Sequence, residues 1–332
     1  MCEERLFYAS YKGEPEACVA QLSTPAASEL RSGDVVLILP DGPITVVWEA
    51  GTIHNCILVT NTCNCRCVMC PQPPRRDAPD QLNLNLEILR LAAGESVASI
   101  ALSGGEPTLR LDWLCMLIHA CKTRFPEAES YLLTNGIAFH QLEVCRRIVA
   151  TDHPRLTLCI SLLSDVDRIH DEITGVTGGF NQTVAGLHNL ALLKQKVEVR
   201  VVVLRENYQR LPQLAEFIYR NFPFAIHVAF MGVEVTGLAR LNVERVWIDP
   251  VLYVSQLKLA VQHLSRRDLR VSIYNLPLCL LPEELRPFAR DSISGWKKAF
   301  LPLCEGCVVR ASCPGLFATS NRYSDRLSPV TD

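Results

Sequence analysis

The sequence predicts an α/β protein built as a partial (βα)6 barrel of parallel strands, with a small β-rich segment before it and a cysteine-rich extension after it. Three observations predict this. Six short apolar, β-rich runs recur after residue 53 at intervals of roughly 25 to 45 residues. The runs are continuously apolar, as in strands covered on both faces. Apolar positions at helical spacing lie between them, and strand, helix, strand in that rhythm gives a parallel sheet with right-handed crossovers. Six units fall short of the eight that close a barrel. A doubly wound open sheet is the alternative, and both architectures put ligands at the carboxyl ends of the strands.

Residues 1–51 form the first segment. In GDVVLILPDGPITVVWEAG two β-rich runs flank Pro-Asp-Gly-Pro, a turn signal that predicts a small hairpin. Residues 52–235 carry the six strands: IHNCILVT (53–60), ASIALSGG (98–105), SYLLTNG (130–136), LTLCISLL (156–163), VEVRVVVL (197–204) and AIHVAFMGV (225–233). Leu111, Leu114, Cys115, Ile118, Cys121 and Phe125 repeat at helical spacing, as do Val184, Leu187, Leu190 and Leu193. After residue 236 the pattern stops, so residues 236–332 read as a C-terminal extension with a helix over 250–266.

The chain has 332 residues, 48% hydrophobic and 20% charged, with a formal net charge of −2. That composition excludes a disordered chain, and it lacks the basic excess that a nucleic-acid backbone demands. No apolar run reaches the roughly 18 residues that cross a bilayer, and the start MCEERLFYASYKG is no secretion signal. The expectation is a soluble cytoplasmic protein with neither nucleic-acid nor membrane partners.

Fifteen cysteines are the outlier. In a reducing compartment, clustered thiols read as metal ligands or catalysts rather than disulfides. Cys2, Cys18, Cys56, Cys65, Cys115, Cys121, Cys145 and Cys159 are scattered or sit in apolar contexts and read as small buried hydrophobes. The other seven form two groups. Directly after the first strand, TNTCNCRCVMCPQPP spaces Cys63, Cys67 and Cys70 as C-x3-C-x2-C. Three thiolates on one loop can hold three irons of a [4Fe–4S] cubane and leave the fourth open to a ligand. A zinc loop with its fourth ligand elsewhere is the alternative, and Cys65 offers a second register.

After the second strand stands Ser103-Gly104-Gly105-Glu106-Pro107-Thr108. Its glycines let backbone approach a ligand closely, and Glu106 can accept from an ammonium. The third strand ends in Thr134-Asn135-Gly136, also an ordinary turn signal. Ser161 lies near the end of the fourth. Arg200 interrupts an apolar fifth strand, where an unpaired charge is costly, so it faces the lumen, a carboxylate or a ligand.

The cysteine spacing and its place after the first strand resemble the radical S-adenosylmethionine (SAM) superfamily over roughly residues 53 to 235. The resemblance implies a [4Fe–4S] cluster on Cys63, Cys67 and Cys70 whose open iron is chelated by SAM. It implies that Gly104, Gly105, Glu106 and Pro107 hold the SAM amino group. Asn135, Ser161 as a ribose hydroxyl, and Arg200 toward the SAM carboxylate complete the implied cofactor set. It also implies an electron donor, reductive cleavage of the C5′–S bond, and hydrogen abstraction from substrate by a 5′-deoxyadenosyl radical. Orientation and exclusion of water and oxidants are left to the protein.

Near the C-terminus, LCEGCVVRASCPGLF places Cys304, Cys307 and Cys313 as C-x2-C-x5-C, with Cys279 available from LPLCLLPEE. Four thiolates complete either a zinc site or a fully ligated second cluster. The resemblance favours an auxiliary [4Fe–4S] cluster over zinc.

Read together, GDVV, TNTCNCRCVMCPQPP, FMGVEVTGLAR, YNLPLCLLPEEL, ISGWKKAF and CEGCVVRASCPGLFATS resemble the HxsC family over nearly the whole chain. That family comprises radical SAM maturases of the His-Xaa-Ser peptide system. The narrower likeness implies a ribosomally made peptide substrate and a second radical SAM protein as partner; Cys65 departs from its pattern. It assigns no catalytic residue for the peptide. One competing expectation is a nucleotide-modifying enzyme like the molybdenum-cofactor precursor cyclase, against which the ending Pro329-Val330-Thr331-Asp332 is set, because that cyclase ends in Gly-Gly. Another is a noncatalytic Fe–S or zinc scaffold, in which the GGEP turn has no purpose. His170-Asp171 reads as a loop or helix-start pair, Arg75 and Arg76 as solvated charges, and Lys297 and Lys298 as too few for a nucleic-acid groove.

Overall fold

A computed structural model describes residues 5–8, 30–38, 44–75 and 81–331. Cys2, Cys18, Arg76 and the Pro-Asp-Gly-Pro turn lie outside the described residues. Strands β1 (Arg5–Tyr8), β2 (Val35–Ile38) and β3 (Ile44–Trp48) form an antiparallel sheet in the order β1-β2-β3, so the two runs flanking the turn pair as expected.

The main sheet has eight strands, and the six runs read from the sequence supply β4 to β9. In chain order the elements are β4 (His54–Thr60), α1 (Leu82–Leu91), β5 (Ser99–Gly104), α2 (Leu111–Arg124), β6 (Glu129–Thr134), α3 (Leu142–Val149) and β7 (Leu156–Ser161). There follow α4 (Asp167–Thr174), α5 (Gly179–Leu192), β8 (Lys196–Val202), α6 (Leu211–Asn221), β9 (His227–Met231), α7 (Gly237–Leu241), α8 (Val243–Val246) and α9 (Pro250–Ser265). The sequence pattern stops at residue 236, but the sheet does not. Helix α9 crosses over to β10 (Val271–Tyr274), which pairs parallel with β9, and β11 (Ala289–Arg290) pairs parallel with β10. Strand β10 is only four residues long, carries Ser272 and stops at Asn275 and Pro277, too little apolar sequence to stand out. Strands β12 (Lys298–Ala299) and β13 (Leu316–Phe317) form a separate antiparallel pair.

By contact density the chain divides into two compact units. Residues 1–62, 76–133 and 150–156 make one; residues 63–75, 134–149 and 157–332 make the other. In the first, β4 and β5 pair parallel and α2 turns Leu114, Leu117, Ile118 and Cys121 inward, all at 0% exposure. Trp48 of the hairpin stacks on Phe125 with ring centroids 5.3 Å apart. The second unit contains the parallel run β7 to β11. On β8, Val197, Val199 and Val201 are buried on one face, while Glu198 and Arg200 alternate to the other. Helices α6 and α9 bury Leu214, Ile218, Leu257 and Val261. No helix among the described residues is long and apolar enough to cross a membrane.

Candidate metal centre

The first cysteine loop leaves β4 at Thr60 and is held by backbone rather than by its thiols. Arg66 N–H donates to Thr174 O and Val68 N–H to Ile173 O, both at 2.9 Å, so the last turn of α4 carries the loop. Leu238 N–H donates to Cys70 O at 2.8 Å, and Asn242 Nδ2 to Val68 O at 3.1 Å, so α7 and the residue after it hold its far end. The Val68 side chain enters an apolar cluster with Leu163, Ile173, Leu204, Ala239 and Val246. Gly237, at φ +55°, is required at the start of α7, since a Cβ there would stand 2.4 Å from Pro71 O and 2.7 Å from Cys70 O.

On this frame Cys63, Cys67 and Cys70 are partly exposed, whereas Cys65 is buried. Cys65 N–H donates to Cys63 Sγ at 3.3 Å. Side-chain hydrogen bonds to Cys63 and Cys67, then burial, then the charge of those same thiols, hold the Cys65 thiol far above the ordinary thiol range. Burial, with Cys67 and Cys63 adding to it, pushes Cys70 up to about 11. A metal group held by Cys63, Cys67 and Cys70 would favour their thiolate forms, because metal binding is also deprotonation. Asn135 joins the group: its Nδ2 donates to Asn64 Oδ1 at 2.8 Å and to Cys65 Sγ at 3.2 Å. Its Oδ1 accepts from Ile137 N–H at 3.0 Å, so the ordinary turn function is also present.

The GGEP turn lies at the end of β5. Gly104 has φ +149°, and a Cβ there would stand 2.3 Å from Thr60 O. Gly105 N–H donates to Thr60 O and Glu106 N–H to Thr62 O, each at 2.8 Å, which ties the turn to the residue before Cys63 in the chain. Glu106 is 0% exposed; its Oε1 accepts from Thr108 N–H at 3.0 Å and from Thr108 Oγ1 at 2.6 Å. The carboxylate thereby caps the 3-10 turn Pro107–Arg110, a use the sequence did not suggest.

Ser161 ends β7 directly opposite Arg200 on β8. Of the alternatives for Arg200, the carboxylate is present: its Nε lies 2.5 Å from Glu198 Oε1. Glu198 Oε2 lies 2.7 Å from His227 Nδ1, and His227 Nε2 lies 2.9 Å from Ser272 Oγ. Burial acts to raise Glu198, but the His227 hydrogen bond and the Arg200 charge outweigh it and take the carboxyl to about 2. His170 and Asp171 lie within α4, where Asp171 accepts from the backbone of Gly178 and Phe180. Among the scattered thiols, Cys121, Cys145 and Cys159 are buried as expected, but Cys56 is exposed and Cys115 only half-buried.

Cys279, Cys304, Cys307 and Cys313 all line one pocket of about 380 Å³ counted with its open mouth, walled otherwise by groups such as Phe300, Val309 and Leu316. Cys313 Sγ accepts backbone N–H bonds from Leu278 at 3.5 Å and Gly315 at 3.4 Å, and Cys307 Sγ from Val330 at 3.4 Å. Burial, with Cys313 and Cys304 adding, raises the Cys279 thiol. Among the described residues no three His, Cys, Asp or Glu side chains stand as close as a single ion requires. Backbone N–H bonds to sulfur of this kind accompany thiolate ligands in iron–sulfur and zinc sites alike.

Residues 57–218 match the family described as the Radical SAM superfamily, and the chain carries a domain of that superfamily. The chain is 29% identical over 289 residues to a GTP 3′,8-cyclase of Campylobacter curvus, covering 82% of this chain and 81% of that one. It is 28% identical over 208 residues to the GTP 3′,8-cyclase of Nautilia profundicola, covering 59% of this chain and 62% of that protein. Among solved structures, Streptococcus suis SuiB bound to precursor peptide SuiA superposes with a TM-score of 0.55 at 19% identity, over 68% of this chain and 49% of SuiB. The match thus spans about half of SuiB and less than two thirds of the Nautilia protein, and the SuiB likeness concerns the fold.

Proposed function

We propose that the chain is a radical SAM enzyme in which Cys63, Cys67 and Cys70 hold a [4Fe–4S] cluster with one open iron. Gly104, Gly105, Glu106, Pro107, Asn135, Ser161 and Arg200 would then hold SAM. The observation that carries this reading is the thiol loop itself: a short segment pinned by α4, Gly237 and Asn242 that keeps Cys63, Cys67 and Cys70 partly exposed on one loop. When bound, the cluster and SAM supply reductive C5′–S cleavage and a 5′-deoxyadenosyl radical. The chain's own contribution is placement. Gly104 lets the turn lie against Thr60, and Glu198 fixes the Arg200 guanidinium. Asn135 donates to Cys65, which supports Cys65 as a neighbour of the cluster rather than a ligand. Cys279, Cys304, Cys307 and Cys313 would hold the auxiliary cluster.

For the substrate, relatedness to GTP 3′,8-cyclases along most of both chains supports a purine nucleotide. A second reading is a His-Xaa-Ser type peptide, matured beside a second radical SAM protein; the motif series from TNTCNCRCVMCPQPP to CEGCVVRASCPGLFATS favours it. Anaerobic reconstitution with iron, sulfide, dithionite and SAM tests the enzyme reading. It predicts 5′-deoxyadenosine and about eight irons per chain, two cubanes' worth. Cys63→Ala should lose four irons and all 5′-deoxyadenosine, while Cys65→Ala should keep the iron. A noncatalytic scaffold would form no 5′-deoxyadenosine. Stimulation of its formation by GTP or by the peptide separates the two substrates.

A further inference from the structure

The pocket of the second cysteine group is closed by a segment that carries none of those cysteines. Leu327, Ser328 and Pro329 line it beside Cys279, Cys304, Cys307 and Cys313. They belong to the stretch after β13, which forms neither helix nor strand. Hydrogen bonds fix its course instead. Asn321 N–H donates to Val235 O at 3.3 Å, Ser324 Oγ donates to the Asp249 carboxylate at 2.9 Å, and Val330 O accepts from Val308 N–H at 3.1 Å. The stretch is thus tied first past the end of β9, then to the N-cap of α9, and last to the cysteine segment itself.

The last tie runs in both directions. While its carbonyl accepts from Val308, Val330 donates its own N–H to Cys307 Sγ at 3.4 Å. Earlier in the same stretch, Ser328 gives a backbone hydrogen bond to Cys279, which acts against the burial that raises that thiol. The donors at 328 and 330 both serve sulfur. Between them stands Pro329, the one residue type with no N–H to leave unpaired. Ser328 and Pro329 are exposed on the outside, and Leu327 and Val330 are half-buried. A backbone N–H on a ligand sulfur holds that sulfur in place, as the hydrogen bonds behind metal ligands do. It also draws negative charge from the sulfur, which favours the reduced form of a cluster and raises its potential.

We propose that residues 327–330 form a strap over the second thiol site, whose Ser328 and Val330 N–H groups fix Cys279 and Cys307 and set the potential of the group they hold. The proposal rests on the reading that these four cysteines hold the auxiliary cluster.

The test uses the full chain reconstituted anaerobically with iron and sulfide. Iron is counted, its release to a chelator is timed, and the cluster potentials are read by electron paramagnetic resonance during a redox titration. Val330→Pro deletes the donor to Cys307 and keeps the carbonyl that Val308 uses. It should release about half of the iron, one cubane's worth, roughly fivefold faster, as loss of a neutral hydrogen bond does. One of the two potentials should move to more negative values while the other stays. Ser328→Pro should act in the same way through Cys279, and Val330→Ala, which keeps the N–H, should match the wild type in both readouts. The iron that stays bound reports that each variant is folded. Wild-type release with unshifted potentials in both proline variants overturns the strap, and so does an equal change in Val330→Ala, which makes packing the cause. A wild-type chain that binds only about four irons ends the auxiliary-cluster reading and the strap with it; about eight irons with release insensitive to the proline variants sinks the strap alone.

Discussion

A methyl group on Gly104 would stand 2.3 Å from the Thr60 carbonyl oxygen, in a backbone conformation that alanine avoids. Gly104→Ala is therefore expected to cost at least about 2 kcal/mol, read as a fall in the unfolding midpoint, and to weaken SAM binding because the turn can no longer lie on β4. His170 makes a prediction about pH. It is 1% exposed, and its Nδ1 accepts from Leu163 N–H at 3.2 Å, which only the neutral ring can do. Burial takes its pKa from the ordinary 6.5 to about 4, with Asp171 opposing. The unfolded chain thus takes up a proton near pH 6.5 that the folded one refuses until about pH 4. Stability is fully present above 6.5 and lost as pH falls through that window, by up to about 3 kcal/mol. Denaturant titrations at pH 7 and pH 4.5 should show this loss, and His170→Gln should flatten it.

At the scale of elements, the cysteine loop depends on two short helices far away in sequence. Asn242 bonds Val68 O and Leu238 O with one amide group, joining the loop to α7. Asn242→Ala leaves a partly buried carbonyl without its donor and should cost about 1–2 kcal/mol, with iron bound less tightly on competition with a chelator and the thiols themselves untouched. The sequence assigned no role to Asn242, Thr174 or Gly237, although Gly237 lies within FMGVEVTGLAR, because their work is done through backbone atoms and through space that a Cβ would fill. The six main strands were legible for the opposite reason: runs such as β7, from Leu156 to Ser161, are apolar enough to show above their surroundings. Strand β10 was hidden because four residues with a serine among them carry no such signal. The cysteine groups were legible as spacings, and the four that line the second pocket include Cys279, a lone thiol 25 residues before Cys304, brought there by the fold.

For the whole molecule, the question is what fastens a tail of short turns to a parallel sheet. Between β11 and residue 331 the longest regular strands have two residues, so hydrogen-bonded secondary structure contributes little there. Glu234, just past β9, takes over that role. Its carboxylate receives Lys297 Nζ at 3.1 and 3.2 Å and Thr319 Oγ1 at 2.5 Å, and the adjacent Val235 donates its N–H to Ser320 Oγ and accepts from Asn321 N–H. Lys297, read from sequence as an unremarkable charge, and Thr319 flank the cysteines at 304, 307 and 313 in the chain, so one carboxylate closes the segment that carries three of the second pocket's thiols. The pair is partly exposed, with 27% and 11% of its side chains accessible, so solvent screens some of its worth. Glu234→Gln keeps the shape but loses the charge. It should cost about 1–2 kcal/mol and lower the iron count from eight toward four per chain while 5′-deoxyadenosine formation without substrate persists. If instead both clusters were lost together, the extension would be fastened by something other than Glu234.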